Sequence, residues 1–221
     1  MSKLITFSGL DGAGKTTQIS LFTEYLERES TSFSTLEMYD DVSVAALVRR
    51  KLARKQPSAA KTAGPRDPQP LRLDKNRSDF PTVVARQFIY LLDLQRFLIL
   101  RRRHATGPDD VLVMDRYFFD SLANLLSATD LAAPYVSFFL KLAPAPQLAV
   151  LLDVAPETAF RRKREYPLEY LRQRRRAYQK IFARLETALV LDGEQEPELL
   201  HQQLVERARS LSPKGELSSH A

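Results

Sequence analysis

The chain has 221 residues, of which 44% are hydrophobic and 27% are charged, and its 33 Lys and Arg residues outnumber its 27 Asp and Glu residues by six. This composition is typical of a globular domain with enough apolar residues for a large core. Because the sequence contains no cysteine, a disulfide scaffold, a Cys-ligated zinc site and thiol catalysis are excluded. The basic excess indicates an anionic partner, which could be nucleic acid, a membrane surface or a phosphorylated small molecule.

Short apolar strands alternate with helices along the chain. The predicted strands are residues 4–7, 33–39, 111–114, 148–152 and 188–191, and the predicted helices are residues 15–29, 44–55, 82–103, 118–127, 134–142, 156–180 and 197–211. Strands that are apolar along their whole length and alternate with helices are typical of a parallel sheet covered on both faces. We therefore expect one α/β domain over residues 1–211, with a five-stranded parallel sheet between two layers of helices.

The remaining segments lack a regular hydrophobic period. Residues 56–81 contain five prolines and one glycine, so we expect a long loop that either closes over a ligand or is disordered. Residues 212–221 are expected to form a flexible tail. The apolar run at the N-terminus is too short for a signal peptide, and the most apolar region, residues 131–154, is interrupted by Lys141, Asp153 and three prolines. The expected location is the cytoplasm.

Residues 9–16, GLDGAGKT, match the pattern G-x-x-x-x-G-K-[ST] between a predicted strand and a predicted helix. The glycines let backbone N–H groups turn towards phosphate oxygens at the positive end of the helix. Lys15 suits the β- and γ-phosphates of ATP, and the Thr16 hydroxyl suits Mg²⁺. The alternative is a glycine-rich turn beside an exposed lysine. The predicted ATP-binding residues are Gly9, Leu10, Asp11, Gly12, Ala13, Gly14, Lys15, Thr16 and Thr17.

Two further charged features flank this loop. A carboxylate at Asp11 would repel a phosphate, so Asp11 either points into solvent or holds something on the acceptor side. The apolar strand at 111–114 ends at Asp115, and ligands of open α/β sheets bind at such strand ends. Asp115 there suits Mg²⁺ together with Thr16, and Arg116 suits a second phosphate. A salt bridge between neighbouring elements is the alternative for Asp115 and Arg116.

With these motifs the sequence resembles the thymidylate kinase family and, more broadly, the P-loop nucleoside and nucleoside-monophosphate kinases. The matching stretches are residues 7–18 (FSGLDGAGKTTQ), residues 115–117 (DRY) with Ser121 and Ala123, residues 151–157 (LLDVAPE) and residues 191–193 (LDG). The resemblance implies a P-loop NTPase-type fold and transfer of a phosphoryl group from Mg-ATP to dTMP in nucleotide biosynthesis. It further implies that Arg116 binds the acceptor phosphate, that Asp115 acts through the metal and that Asp11 faces the acceptor.

The acceptor side departs from the family pattern. The family carries an Arg-Glu-Pro-Gly-like turn after the second strand, whereas residues 37–41 of this chain read EMYDD, with Arg49 or Arg50 as substitutes for the missing arginine. Asn124 and Leu125 stand where the family carries thymine-binding residues. The candidate acceptor-binding residues are Asp11, Arg96, Arg116, Tyr117 and Asn124.

Residues 161–176 contain eight basic and two acidic residues, a net +6, so the rest of the chain is balanced. Pro167 separates the two basic runs and predicts a helix–turn–helix lid over about residues 155–178. Arginines that close over a transferred phosphoryl group stabilise its charge, although a solvated basic face or a polyanion contact is the better interpretation for most of them. The predicted catalytic residues are Lys15, Asp11, Arg116, Arg161, Arg162 and Arg164, with one or two of the last three reaching the phosphate.

Three functions remain open. The favoured one is a nucleoside-monophosphate kinase of thymidylate kinase type, and the second is a kinase of the same fold that acts on a nucleoside, a modified nucleotide or another metabolite. The third is a nucleotide-gated binder of nucleic acid or protein, disfavoured because no basic patch is interleaved with aromatic residues. The expected partners are ATP and a small phosphorylated or nucleoside acceptor rather than a membrane or nucleic acid, and a homodimer is left open.

Overall fold

The computed structural model describes residues 2–44, 80–105 and 110–211. Most of the predicted helix at 44–55, most of the proline-rich segment at 56–81 and the predicted tail at 212–221 lie outside these residues. The candidate substitutes Arg49 and Arg50 also lie outside them.

Five parallel strands form one sheet in the order β2-β3-β1-β4-β5. This arrangement confirms the predicted five-stranded parallel sheet. The central strands β1 and β4 are almost completely buried, because helices cover both faces of the sheet. The strands are β1 (Lys3–Gly9), β2 (Phe33–Glu37), β3 (Val111–Asp115), β4 (Leu148–Asp153) and β5 (Ala188–Asp192).

Seven α-helices occur in the described ranges and complete a three-layer α/β/α fold of the P-loop NTPase type. None of the helices in these ranges is both long and apolar enough to cross a membrane. The helices are α1 (Lys15–Arg28), α2 (Phe80–Ala105), α3 (Phe118–Ala128), α4 (Ala133–Leu142), α5 (Pro156–Arg162), α6 (Leu168–Phe182) and α7 (Pro197–Ser210).

Several element boundaries differ from the sequence-based expectation; β1, for example, extends to Gly9, two residues beyond its predicted end. Strand β2 ends two residues early, because Met38–Val42 forms a π-helical turn that buries both of its ends, Met38 and Val42, in the core. Helix α2 begins at Phe80, two residues early, with Pro81 in the first turn, where no helix hydrogen bond needs its missing N–H. The predicted helical stretch at 156–180 forms two helices, in agreement with the expected break at Pro167, which directly precedes the second helix.

The strand register brings three chemically important segments to one edge of the sheet. Phe7 pairs with Asp115, and Gly9 pairs with Leu152. The ends of β1, β3 and β4 therefore lie side by side at the carboxyl edge, where ligands of open parallel sheets bind.

Candidate active site

The phosphate loop connects β1 to α1 and is held closely against β4 and α5. Gly9 has a φ of 146°, and a Cβ there would lie 2.6 Å from the backbone oxygen of Leu152. Gly12 has a φ of 91°, and a Cβ there would lie 3.0 Å from the backbone oxygen of Ala159. Only glycine satisfies both the backbone conformation and the close contact at these positions.

Lys15 lies at the start of α1 and is almost completely buried. Its Nζ donates hydrogen bonds to the carbonyls of Gly9 (3.0 Å) and Leu10 (2.8 Å), so the ammonium group is folded back over the loop. Burial, reinforced by repulsion from Arg116, lowers the pKa of Lys15 to about 8. An anion bound in the loop would restore the stability of the charged form.

Asp115 ends β3 beside the loop and is close enough to Lys15 to interact with it electrostatically. Its Oδ1 is buried and has no hydrogen-bond partner among the described residues, and burial raises the pKa of this carboxyl. Thr16, one residue beyond Lys15, is exposed in the first turn of α1. No group of three or more His, Cys, Asp or Glu that could hold a metal occurs in ranges 2–44, 80–105 and 110–211. One carboxylate and one hydroxyl nevertheless fit Mg²⁺, which takes its other ligands from phosphates and water.

Arg116 directly follows Asp115 at the end of β3. Its φ of 65° is unusual for a residue with a side chain, and its guanidinium forms an ion pair with Asp11 and a 3.2 Å contact with Asp120. The guanidinium also lies 5.5 Å from the ring centroid of Tyr39. Burial opposes the charge on Arg116, but Asp120 and Asp11 outweigh it and raise its pKa.

Asp11 does not point into solvent. Its side chain is only 16% exposed and pairs with Arg116, so the solvent-facing alternative is wrong, and the acceptor-side position stays a prediction. Burial alone would raise the pKa of Asp11, but the positive charges of Arg116 and Lys15 make the net shift downwards. The carboxylate is therefore ionised.

Asp120, which the sequence analysis missed, joins the phosphate loop to the helices behind it. It is completely buried, and its Oδ2 accepts hydrogen bonds from Ser8 Oγ (2.7 Å) and from the Tyr117 backbone N–H (3.1 Å). Its Oδ1 accepts a hydrogen bond from the Tyr178 hydroxyl at 2.7 Å. The sequence signal for this role was the position of Asp120, four residues after Arg116 in a largely apolar predicted helix.

The three candidate lid arginines of the first basic run have different surroundings. Arg162 reaches back over the phosphate loop, where its Nη1 donates to the carbonyls of Gly193 (3.2 Å) and Gly12 (3.4 Å). Arg161 donates to Thr158 within its own helix, and Arg164 lies 5.9 Å from the Phe160 ring centroid. The structure thus brings Arg162 to the loop and leaves Arg161 and Arg164 in contacts local to α5.

Two arginines of the second basic run attach α6 to the rest of the molecule. Arg172 pairs with Glu157 of α5 at 2.8 Å, and Arg175 pairs with Asp153 at the end of β4 at 2.7 Å. The side chain of Gln179 also donates to Asp153. These contacts join α6 to α5 and to the end of β4, so Arg172 and Arg175 do not form a purely solvated basic face.

Arg174 is different, because it is 3% exposed and its guanidinium is surrounded by tyrosines. Nη1 donates to the Tyr170 hydroxyl at 2.6 Å and to Asn124 Oδ1, while Nε and Nη2 donate to the Tyr178 hydroxyl at 3.4 and 3.2 Å. The sequence analysis assigned no role to Arg174. Its position midway between Tyr170 and Tyr178, four residues from each on the buried stripe of α6, was the signal that could have found it.

A cleft of about 270 Å³ lies between the phosphate loop, the turn after β2 and the lid. Both signs of charge are present, together with two tyrosines. The lining residues are Asp11, Tyr39, Arg116, Lys163, Glu165, Tyr166 and Arg174.

The other predicted acceptor residues do not line this cleft. Tyr117 is fully buried, and its hydroxyl donates to the Pro144 carbonyl at 2.7 Å, so its position does not support contact with an acceptor. Arg96 donates twice to the Asp41 carbonyl, at 2.8 and 3.0 Å, and thereby stabilises the π-helical turn. Asn124 lies behind the cleft and orients Arg174.

Comparison with known proteins agrees with the motifs. The chain is 29% identical to the probable thymidylate kinase of Archaeoglobus fulgidus over 198 residues, which cover 86% of each protein. It is 24% identical to the thymidylate kinase of Caldanaerobacter subterraneus subsp. tengcongensis, over 92% of this chain and 93% of that protein. It is also 24% identical to the thymidylate kinase of Chlorobium chlorochromatii, over 91% and 92%. No family model matches the chain.

Proposed function

We propose that this thymidylate kinase-like protein is a nucleoside-monophosphate kinase that transfers a phosphoryl group from Mg-ATP to an acceptor monophosphate, most simply dTMP. The observation that carries the proposal is the position of Arg116. Its guanidinium lies in a cleft that directly adjoins the phosphate loop through Asp11. A donor phosphate in the loop and an acceptor phosphate at Arg116 would be neighbours, as in-line phosphoryl transfer requires.

On the donor side, the backbone N–H groups of residues 9–17 would bind the phosphates of ATP. The Lys15 ammonium group would leave the Gly9 and Leu10 carbonyls to contact the β- and γ-phosphates. Thr16 and Asp115 would hold Mg²⁺, which neutralises phosphate charge when it is bound. The orphaned buried Oδ1 of Asp115 supports this assignment.

On the acceptor side, Arg116 would orient the monophosphate so that one of its oxygens attacks the γ-phosphorus. The new P–O bond forms as the bond from the γ-phosphorus to the bridging oxygen breaks, and ADP leaves. Arg162 would stabilise the charge on the moving group, because it already reaches over the loop. Asp11 keeps Arg116 in position between the two phosphates.

A phosphotransfer screen tests the proposal. Purified protein with Mg-ATP is incubated with dTMP, dUMP, dCMP, AMP, GMP, thymidine and sugar phosphates, and ADP release is measured with a coupled assay. We expect the highest kcat/KM with dTMP and no activity in Lys15→Ala, which should remain folded. The proposal is abandoned if no nucleoside monophosphate is phosphorylated.

A kinase with another acceptor is the second candidate, because residues 37–41 provide three acidic residues and no arginine at the turn after β2. In the same screen this candidate predicts that thymidine or a non-nucleotide compound exceeds dTMP. A cytoplasmic location and a homodimer belong to the proposal as well.

A further inference from the structure

The partners of the buried Arg174 guanidinium are all uncharged. In the described part of the chain they are the hydroxyls of Tyr170 and Tyr178 and the side-chain oxygen of Asn124. No carboxylate from that part lies within the 4.0 Å ion-pair distance of Arg174. The nearest linked acid is Asp120, which Arg174 reaches only through the Tyr178 hydroxyl.

Such an environment is costly for a cation. A buried charge is normally paired, because neutral oxygens replace its hydration only in part. Arg116 shows the usual solution, since it pairs with Asp11 and Asp120. Arg174 therefore carries a buried positive charge that forms no direct ion pair with the described residues, although Asp11 and Asp120 are close enough to interact with it electrostatically.

The positive charge of Arg174 changes the net charge of the residues that line the cleft. Of the charged residues that line the cleft, Asp11 is paired with Arg116, and Lys163 is paired with Glu165 at 3.1 Å. Without Arg174 these lining residues would carry no net charge to attract a dianionic phosphate. With Arg174 their net charge is positive, which favours an anion.

One N–H group of the Arg174 guanidinium remains available to a ligand. Four of its five N–H groups are used by Tyr170, Asn124 and Tyr178, and the fifth, on Nη2, has no acceptor among the described residues. Arg174 also lines the same cleft as Arg116. A guanidinium that is fixed by neutral acceptors and open to a cleft is well suited to bind a phosphate oxygen.

We propose that Arg174 binds the phosphate group of the acceptor together with Arg116 and so determines the preference for phosphorylated acceptors. This proposal rests on the proposed function for the identity of the acceptor. It assigns a binding role to a residue of α6, whereas Asn124, Tyr170 and Tyr178 are positioning residues that orient it.

The test compares Arg174→Met with Arg176→Met in the full chain. Methionine keeps much of the side-chain volume, and Arg176 is an exposed arginine on the same helix. Isothermal titration calorimetry measures the binding of dTMP, thymidine and a non-hydrolysable ATP analogue. We expect Arg174→Met to weaken dTMP binding by about 10- to 100-fold, as for the loss of a hydrogen-bonded charge, with thymidine and the ATP analogue changed less than about twofold. Arg176→Met should behave like the unmodified protein.

Two further measurements keep the result interpretable. Arg174→Lys retains the charge without the planar fork and should give intermediate dTMP affinity, which provides a readout if the methionine variant does not fold. Inorganic phosphate, titrated with ³¹P NMR detection, reports the anion site without a nucleotide. If the unmodified protein binds phosphate and Arg174→Met does not, the anion site stands even when no nucleoside monophosphate is bound, and only the proposed function fails.

Several results would overturn the role of Arg174. Equal losses of dTMP and thymidine affinity would show a packing role, and a loss confined to the ATP analogue would place the residue on the donor side. Unchanged binding of dTMP and phosphate in Arg174→Met, or no phosphate or dTMP binding by the unmodified protein, would also refute it.

Discussion

Asp120 is a buried carboxylate that contacts residues of several elements around the candidate active site. Its four contacts join Ser8 of β1, the start of α3 at Tyr117, Tyr178 of α6 and Arg116. Each contact satisfies a polar group that would otherwise be buried without a partner. The position of Arg116 therefore depends on elements that do not touch a substrate.

The first prediction concerns the stability of this network. Asp120→Ala leaves Arg116 with one partner fewer and three donors unsatisfied, so we expect the free energy of unfolding to fall by about 3–5 kcal/mol. Urea denaturation monitored by circular dichroism measures the change. Asp130→Ala is the control, because its contact with Lys180 is exposed and long (3.5 Å), and it should cost less than about 1 kcal/mol. Equal stability of the two variants would contradict the role of Asp120.

The second prediction follows from the pKa of Lys15, which burial and Arg116 lower to about 8. At pH 8 the free protein holds Lys15 about half protonated, whereas a bound triphosphate favours the charged form, so nucleotide binding should take up about half a proton. The uptake should vanish near pH 6.5, where the lysine is already charged, and increase towards pH 9. ATP affinity should fall above pH 8, because more of the lysine must then be protonated on binding.

Calorimetry of ATP analogue binding in Tris and in HEPES measures this proton uptake through the different ionisation enthalpies of the buffers. Lys15→Arg should bind without it, since arginine stays charged. Lys180→Ala removes an exposed lysine far along the sequence and should leave the uptake unchanged. Uptake that persists in Lys15→Arg would assign the proton to another group.

At this scale the positions of the phosphate-loop residues could be predicted from the sequence more directly than the positions of the residues on the other side of the cleft. The phosphate loop is a local motif, so its glycines, Lys15 and the neighbouring strand end could be identified from adjacent residues. Tyr117 and Arg96 depend on packing between distant elements, and they contact Pro144 and Asp41 instead of the cleft. Arg174 escaped notice because a charged residue is ordinarily assigned to solvent.

Among the elements, α5 and α6 carry the basic residues of the expected lid, but α6 also belongs to the core, since seven of its residues are buried. Arg172 joins the two helices, and Arg175 fixes α6 to the end of β4, while Arg162 extends from α5 over the loop. Pro167 separates the helices, so the short segment between them can approach the cleft through Tyr166. The basic residues of the lid therefore have separate tasks.

The third prediction distinguishes those tasks by substitution. If Arg162 stabilises the transferred phosphoryl group, Arg162→Ala should lower kcat by about 100-fold or more, as for loss of one preorganised charge, with smaller changes in KM. Arg161→Ala and Arg164→Ala are matched neighbours and should retain kcat within about threefold, because their contacts stay within α5. Steady-state kinetics with saturating ATP and dTMP measures the difference. A larger loss in either neighbour would transfer the role to it.

The elements themselves could be predicted well wherever the hydrophobic period was clear, as in the five strands and the break at Pro167. The turn after β2 could not, because a π-helical turn has no sequence period of its own. It forms where Met38 and Val42 are both drawn into the core and Arg96 binds the Asp41 carbonyl. These are tertiary contacts, and local propensity does not encode them.

At the scale of the whole molecule, the outer face of α2 presents an apolar stripe. Phe88, Leu92 and Ile99 are 65%, 51% and 49% exposed, and their spacing of four and seven residues places them on one side of the helix. The fourth prediction is that this stripe forms a two-fold homodimer contact, in which both copies use the same patch. Sedimentation velocity should show a dimer that Leu92→Glu converts to a monomer, whereas Glu24→Gln on α1 leaves it intact. A monomeric unmodified protein would refute the contact.

The net charge of +6 comes from residues 161–176, and most of the basic residues in this segment have identified contacts. Lys163, Arg172 and Arg175 are in ion pairs, Arg174 is buried, and Arg162 contacts loop carbonyls. No ion pair in the described ranges involves the three remaining basic residues of 161–176, which are Arg161, Arg164 and Arg176. These three cations alone are too few for a nucleic-acid surface of ordinary affinity.

The fifth prediction therefore separates a kinase from a nucleotide-gated nucleic-acid binder. If single-stranded DNA met only the three remaining basic residues of 161–176, the logarithm of its affinity should fall with the logarithm of salt concentration with a slope of magnitude no greater than about 2. Fluorescence anisotropy with a labelled oligonucleotide, from low salt to physiological salt and with or without the ATP analogue, measures the slope. A steep slope that depends on the analogue would contradict the kinase interpretation. A shallow, nucleotide-independent slope is expected, because five of the eight basic residues in 161–176 are already engaged by contacts within the protein.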